Sequence, residues 1–132
     1  MEMPVKSIVV VMTSDPTSIR NGQVGDYYLV NGVLYVRVYT GMDNPNAVYG
    51  TAIHEIVEAL LLINKGTPLE AVDQYDAYYY KHGRCPRCNA IKSEPGDDEH
   101  APYHTEHQAA TMIEELFTTL LNEEKSNKPN RA

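Results

Sequence analysis

The segment from Asn44 to Gly66 limits the possible folds most severely. Asn44-Pro45 supplies a helix cap and a first helical residue, and Lys65-Gly66 supplies a stop. Between them Ala52, Ile53, Ile56, Val57, Leu60, Leu61 and Ile63 recur at helical spacing. The resulting helix is apolar over much of its circumference, so other elements must cover it. Set into this apolar surface are His54, Glu55 and Glu58. At about 100° per residue, His54 and Glu58 lie about 40° apart around the axis, close enough to reach a single ion. With mostly apolar neighbours, the three polar residues are expected to face a semi-buried cleft.

His54-Glu55-Ile56-Val57-Glu58 reads H-E-x-x-E, one residue away from the H-E-x-x-H in which two histidines bind zinc and the intervening glutamate is the general base. Here the second ligand would be the Glu58 carboxylate, which zinc accepts and which magnesium or manganese accepts as readily. Glu55 keeps the position of the catalytic base. Charges at i, i+1 and i+4 also decorate solvated helix faces, so the pattern needs a third ligand before it is a site. His107, on a later helix in line with Glu114, is the leading choice, with His104 in reserve. Asp73 and Asp76, three positions apart on the intervening helix, could orient metal-bound histidines from behind, or simply form an acidic solvated face.

The remaining elements follow from period and punctuation. Val5 to Thr13 is rich in β-branched residues and reads as a buried strand, ended by Ser14-Asp15-Pro16. Asp26 to Val30 and Val33 to Thr40 flank Asn31-Gly32, the dipeptide suited to a type I′ hairpin. Leu34, Val36 and Val38 give the second arm an aliphatic face. Thr67-Pro68-Leu69-Glu70 has the form of a capping box, opening a helix to about Tyr80. A third helix begins near Ala101-Pro102 or Tyr103 and frays into a polar end from Asn122. The expected fold is α+β: a small antiparallel sheet, made of the hairpin and the N-terminal strand, packed on three helices with a cleft between the first and third. With 132 residues one domain is expected, over 1–124, followed by a flexible tail over 125–132.

The long connection from Lys81 to His100 calls for its own explanation. Cys85-Pro86-Arg87-Cys88 together with His100-x-x-x-His104 has the ligand spacing of a Cys2His2 zinc site, which would staple the loop. Reduced surface thiols or a redox pair are the alternatives. If His104 belongs to the loop, His107 is free for the helix site. Two separate metals are then allowed, and one is the simpler arrangement.

Eighteen acidic against 11 basic residues, a net charge of -7, argue against general nucleic-acid binding and favour a cationic metal or partner. No apolar run reaches the roughly 20 residues that span a bilayer, and the N-terminus lacks the marks of a signal peptide. Two cysteines without an export signal point to reduced thiols and a cytoplasmic location.

His54 to Glu58, Val72-Asp73-Gln74-Tyr75-Asp76, Glu94-Pro95-Gly96-Asp97-Asp98, and Ala101-Pro102-Tyr103 with Glu106-His107 together resemble a family of phage and bacterial metallopeptidase-like proteins. The likeness runs from about Ile53 to Leu116 and omits the sheet. It implies a metal site in a phage-associated protein, in the host cytoplasm if phage-encoded, with Glu58 standing where peptidases carry a second histidine. Glu55-x-x-Glu58 followed by Asp73-x-x-Asp76 is also similar to the paired acidic motifs by which all-α nucleotide pyrophosphohydrolases hold magnesium. Asp73 in place of a glutamate and the N-terminal sheet depart from that family. The leading expectation is a zinc-dependent hydrolase of peptides or small molecules, with His54, Glu58 and His107 as ligands and Glu55 as base. A zinc-stapled module that contacts a host protein without catalysis competes with it.

Overall fold

The structure, a computed structural model, describes residues 2–127. Three strands, β1 (Ser7–Thr13), β2 (Gly25–Val30) and β3 (Val33–Tyr39), precede three helices, α1 (Pro45–Lys65), α2 (Leu69–His82) and α3 (His104–Asn127). The class is α+β. Asn31 and Gly32 carry φ of 50° and 79°, the two left-handed residues that a type I′ turn needs to join β2 and β3. Leu34, Val36 and Val38 are fully buried under α1, as their alternation requires.

The sheet is mixed, not antiparallel throughout. Its order is β1-β3-β2, and β1 runs parallel to β3, with Ile8 beside Leu34 and Met12 beside Val38. Residues 14–24, folded into short 3-10 turns at Pro16–Ser18 and Arg20–Gly22, carry the chain across the end of β3 where Thr13 and Gly25 flank it. A strand's own pattern does not encode which side of a later hairpin it joins. The expectation that β1 is buried is also corrected. Ile8 to Met12 are 38–49% exposed, because α1 covers β2 and β3 while β1 forms an uncovered edge.

Helix α1 begins and ends as its sequence dictates. The Asn44 side chain accepts a hydrogen bond from the Asn46 amide at 2.9 Å. Gly66, at φ 86°, sends its amide to Leu62 and Ile63 carbonyls, and the Thr67 amide also reaches the Leu62 carbonyl at 3.0 Å. With its amide closing α1, Thr67 cannot offer it to Glu70, and the expected capping box does not form: α2 starts after Pro68 with no side-chain cap and runs on to His82. By length and composition α1 does match a membrane span, with mean hydropathy 1.3, contrary to the sequence expectation. In the fold it is the central helix, against β2 and β3 on one side and α3 on another.

Helix α3 lies antiparallel to α1, as contacts at both ends show. Lys65 pairs with Glu106 at 2.8 Å, while Asn46 donates to Asn122 at 2.8 Å. It starts at His104, later than expected, and is helical to Asn127, past Asn122, the expected start of a frayed end. The helix therefore passes the expected domain limit at 124, and the rest of the expected tail, 128–132, lies outside the described residues.

Candidate metal centre

The cleft between α1 and α3 gathers three of the expected ligands. His54 and Glu58 are one turn apart on α1, and His107 faces them from α3, all three buried. Oε2 of Glu58 lies 3.1 Å from Nε2 of His54 and 3.0 Å from Nδ1 of His107. Its other oxygen accepts the Tyr27 hydroxyl of β2 at 2.7 Å. One ligand atom from each of the three residues lies within 4.8 Å of the others, so the group could hold a metal ion. It is a His2Glu donor set, which suits a catalytic metal with a coordination position left open.

The outward nitrogens of both rings meet carboxylates. Nδ1 of His54 is 2.9 Å from Glu114, and Nε2 of His107 is 3.2 Å from Glu94 and 3.4 Å from Asp97. These are charge contacts, off the line of a hydrogen bond. Carboxylates behind metal-bound histidines fix the ring and raise its basicity. Asp73 and Asp76, expected in that role, do not fill it. Asp73 pairs with Arg20 at 2.7 Å and Asp76 accepts the Tyr103 hydroxyl, because this side of α2 meets the 3-10 turn Arg20–Gly22 and the residue just before α3, not the histidines.

The electrostatics of the metal-free cluster are those of a cation site. Burial disfavours a charge on His54, but Glu114 and Glu58 outweigh it and push its pKa up to about 10. His107 likewise loses to burial and gains more from Glu58 and Glu94, reaching about 9. Glu58 is buried, yet His107 and His54 hold it down at about 2. Two imidazolium charges thus flank one carboxylate at neutral pH. A divalent cation would replace two protons at no net change of charge, which matches the residues present to such an ion.

Glu55 is half-buried on the same helix and lines the same cavity, whose volume is about 510 Å³. Burial first, and then the neighbouring Glu58 charge, raise its pKa to about 8. Gly25 makes room for it: a Cβ there would come within 2.9 Å of the Glu55 Oε1 atom. Asp76, also on the cavity wall, is raised to about 6, chiefly by burial. Asp26 is instead withdrawn between Arg20 and Arg37.

The loop ligands come together differently from their spacing. Cys85, Cys88 and His100 cluster with Asp98, while His104 turns away and meets the Gly96 carbonyl at 2.9 Å. Four positions after His100, His104 already belongs to the first turn of α3, whose axis carries it out of reach of the thiols. Other contributors escaped sequence reasoning as site residues: Tyr27, Glu94, Gly96, Asp97 and Asp98. All but Tyr27 stand in the Glu94-Pro95-Gly96-Asp97-Asp98 run that carried the family resemblance, which was the available signal.

No family model matches the chain. No curated protein and no solved structure is significantly similar to it.

Proposed function

We propose that the protein is a metal-dependent hydrolase, zinc being the expected ion, with His54, Glu58 and His107 as ligands and Glu55 as general base. The observation that carries this reading is the convergence of His54 Nε2 and His107 Nδ1 on one Glu58 oxygen beside a cavity large enough for a small substrate. A divalent ion held by His54, Glu58 and His107 would supply a Lewis acid for a scissile carbonyl and would make a water acidic enough to lose a proton near neutral pH. Glu55, on the wall of the same cavity, takes that proton and returns it to the leaving group. Glu114, Glu94 and Asp97 keep the ring protons on the outward nitrogens. The acidic walls favour substrates with a positive group, peptides among them.

The resemblance to phage and bacterial metallopeptidase-like proteins points the same way and is the ground for proposing a phage-associated role. Pyrophosphohydrolysis is less well supported. Its four carboxylates line one cavity but turn to different partners, Glu58 to the histidines, Asp73 to Arg20 and Asp76 to Tyr103. A purely stapling module leaves the cavity beside Glu55 unexplained.

Metal analysis of the purified protein, with peptide hydrolysis followed on a mixed peptide pool, tests the reading. Glu58→Gln with His107→Ala should lose the helix-site ion and all turnover. Glu55→Gln should keep the ion and lose about 10²–10⁴-fold in rate. Retention of full metal content by the double variant would overturn it, as would iron in place of zinc, since two histidines and one carboxylate also serve iron(II) in oxygen chemistry.

A further inference from the structure

We propose that Cys85, Cys88, Asp98 and His100 form a second, closed zinc site, which holds the loop between α2 and α3 in the shape that presses Glu94, Gly96 and Asp97 onto His107. The loop has almost no regular structure besides the 3-10 turn Pro95–Asp97, and its buried side chains include a thiol and a carboxylate: Cys85 is 0% exposed and Asp98 1%. Neither cysteine is in a disulfide. A carboxylate buried this deeply is costly unless cations or hydrogen-bond donors compensate it, and a cation shared with the cysteines would do so.

The distances match the ion. Cys85 Sγ stands 3.7 Å from His100 Nδ1, which stands 3.3 Å from Asp98 Oδ1. Metal–ligand bonds of about 2.3 Å for sulfur and about 2.0–2.2 Å for nitrogen and oxygen, at tetrahedral angles, put those atom pairs about 3.6 Å and about 3.4 Å apart. All four ligand atoms lie within 4.8 Å of one another.

The surroundings prepare each ligand. The Arg87 amide donates to Cys85 Sγ at 3.3 Å, which holds the sulfur in place. The Cys85 carbonyl accepts the Asn89 amide, and Asn89 adopts a left-handed φ of 60°, so the chain reverses tightly enough to bring Cys88 back beside Cys85. Tyr75 of α2 donates to Asp98 Oδ2 at 2.6 Å, and Oδ1, which accepts the His100 amide at 3.0 Å, is the oxygen on the side of the ion. Four protein ligands leave no open position, which makes this a structural site and separates it from the three-ligand centre in the cleft.

Asp98 is also the hinge between the two. Its amide bonds the Pro95 carbonyl at 3.1 Å, closing the turn in which Gly96 backs the His107 ring and Glu94 and Asp97 reach its Nε2. This last step rests on the helix-site reading; the loop site itself does not.

Cobalt(II) titration of the reduced, metal-free full-length protein tests the loop site, because only thiolate ligands give an intense near-ultraviolet charge-transfer band and the cleft centre has no sulfur. Wild-type protein and the Glu58→Gln/His107→Ala variant should both show the band. Cys85→Ser with Cys88→Ser should abolish it, Asp98→Asn should weaken cobalt binding at least about 10-fold, and His104→Ala should leave it unchanged. A second measurement needs no variant: zinc should slow modification of the exposed Cys88 by a thiol reagent, and chelation should restore it. Absence of the band in wild type, or equal thiol reactivity with and without zinc, overturns the site. Full affinity in Asp98→Asn with loss in His104→Ala restores the spacing-based Cys2His2 set and overturns the role of Asp98. Because the band does not report on the cleft, its loss would leave the hydrolase proposal standing.

Discussion

At the scale of single residues, the site depends as much on what is missing from a side chain as on what is present. Gly96 lies so close to His107 that a Cβ would stand 2.5 Å from Cγ of the ring, and an imidazole cannot bend away as a long flexible chain can. Gly96→Ala is therefore expected to tilt His107 out of its meeting with Glu58 and weaken metal binding at the cleft by about 10–100-fold. Competition against a chromophoric chelator measures this, and an unchanged affinity would show that the turn does not position the ring. His54, Glu55 and Glu58 were legible in the sequence because a helix fixes their relative angle whatever surrounds them. His107 was legible as a choice between two histidines. That Glu94, Asp97 and Glu114 back the rings was not, since the contacts join α3 to a loop and to a helix about 60 positions earlier.

At the scale of elements, α1 is the scaffold of both core and centre. One side carries Ala59 and Leu62, each fully buried, and another carries the ligands. Leu62→Ala should cost about 2–5 kcal/mol, read as a lower urea midpoint at constant m-value, with metal stoichiometry preserved. Loss of the metal along with stability would mean that the cleft shares the packing of the core more closely than its polar lining implies. Helix ends and the β2–β3 turn followed from local chemistry: Asn44, Gly66 and Asn31-Gly32 each do what their residue types favour in short-range geometry. The capping box failed for an equally local reason, because Thr67 was already engaged by α1.

At the scale of the whole molecule, the cleft ties stability to pH. His54 and His107 have folded pKa values near 10 and 9 against 6.5, so their contribution is complete below pH 6.5 and disappears as pH rises through 9 to 10. Glu58, near 2 against 4.5, contributes above pH 4.5 and loses that contribution as pH falls toward 2. Glu55, raised from 4.5 to about 8, becomes increasingly costly between those values. Metal-free protein should therefore be most stable between pH 4.5 and 6.5, with Tm falling as pH rises toward 9. Saturating zinc should reverse the trend, because the ion competes with the two ring protons and binds more tightly as they leave. Thermal melts with chelator and with zinc across that range decide it; a metal-free Tm that climbs with pH would contradict the charge arrangement. The amino-acid sequence by itself determined the elements, both caps of α1, the hairpin and the H-E-x-x-E stripe, since each depends on residues within a turn or two of one another. Only the tertiary structure decided that β1 joins the far side of β3, that Asp98 replaces His104 beside the cysteines, and that Glu58 is shared between two histidines. Those outcomes depend on which distant surfaces bury one another, and no local period or spacing records that choice.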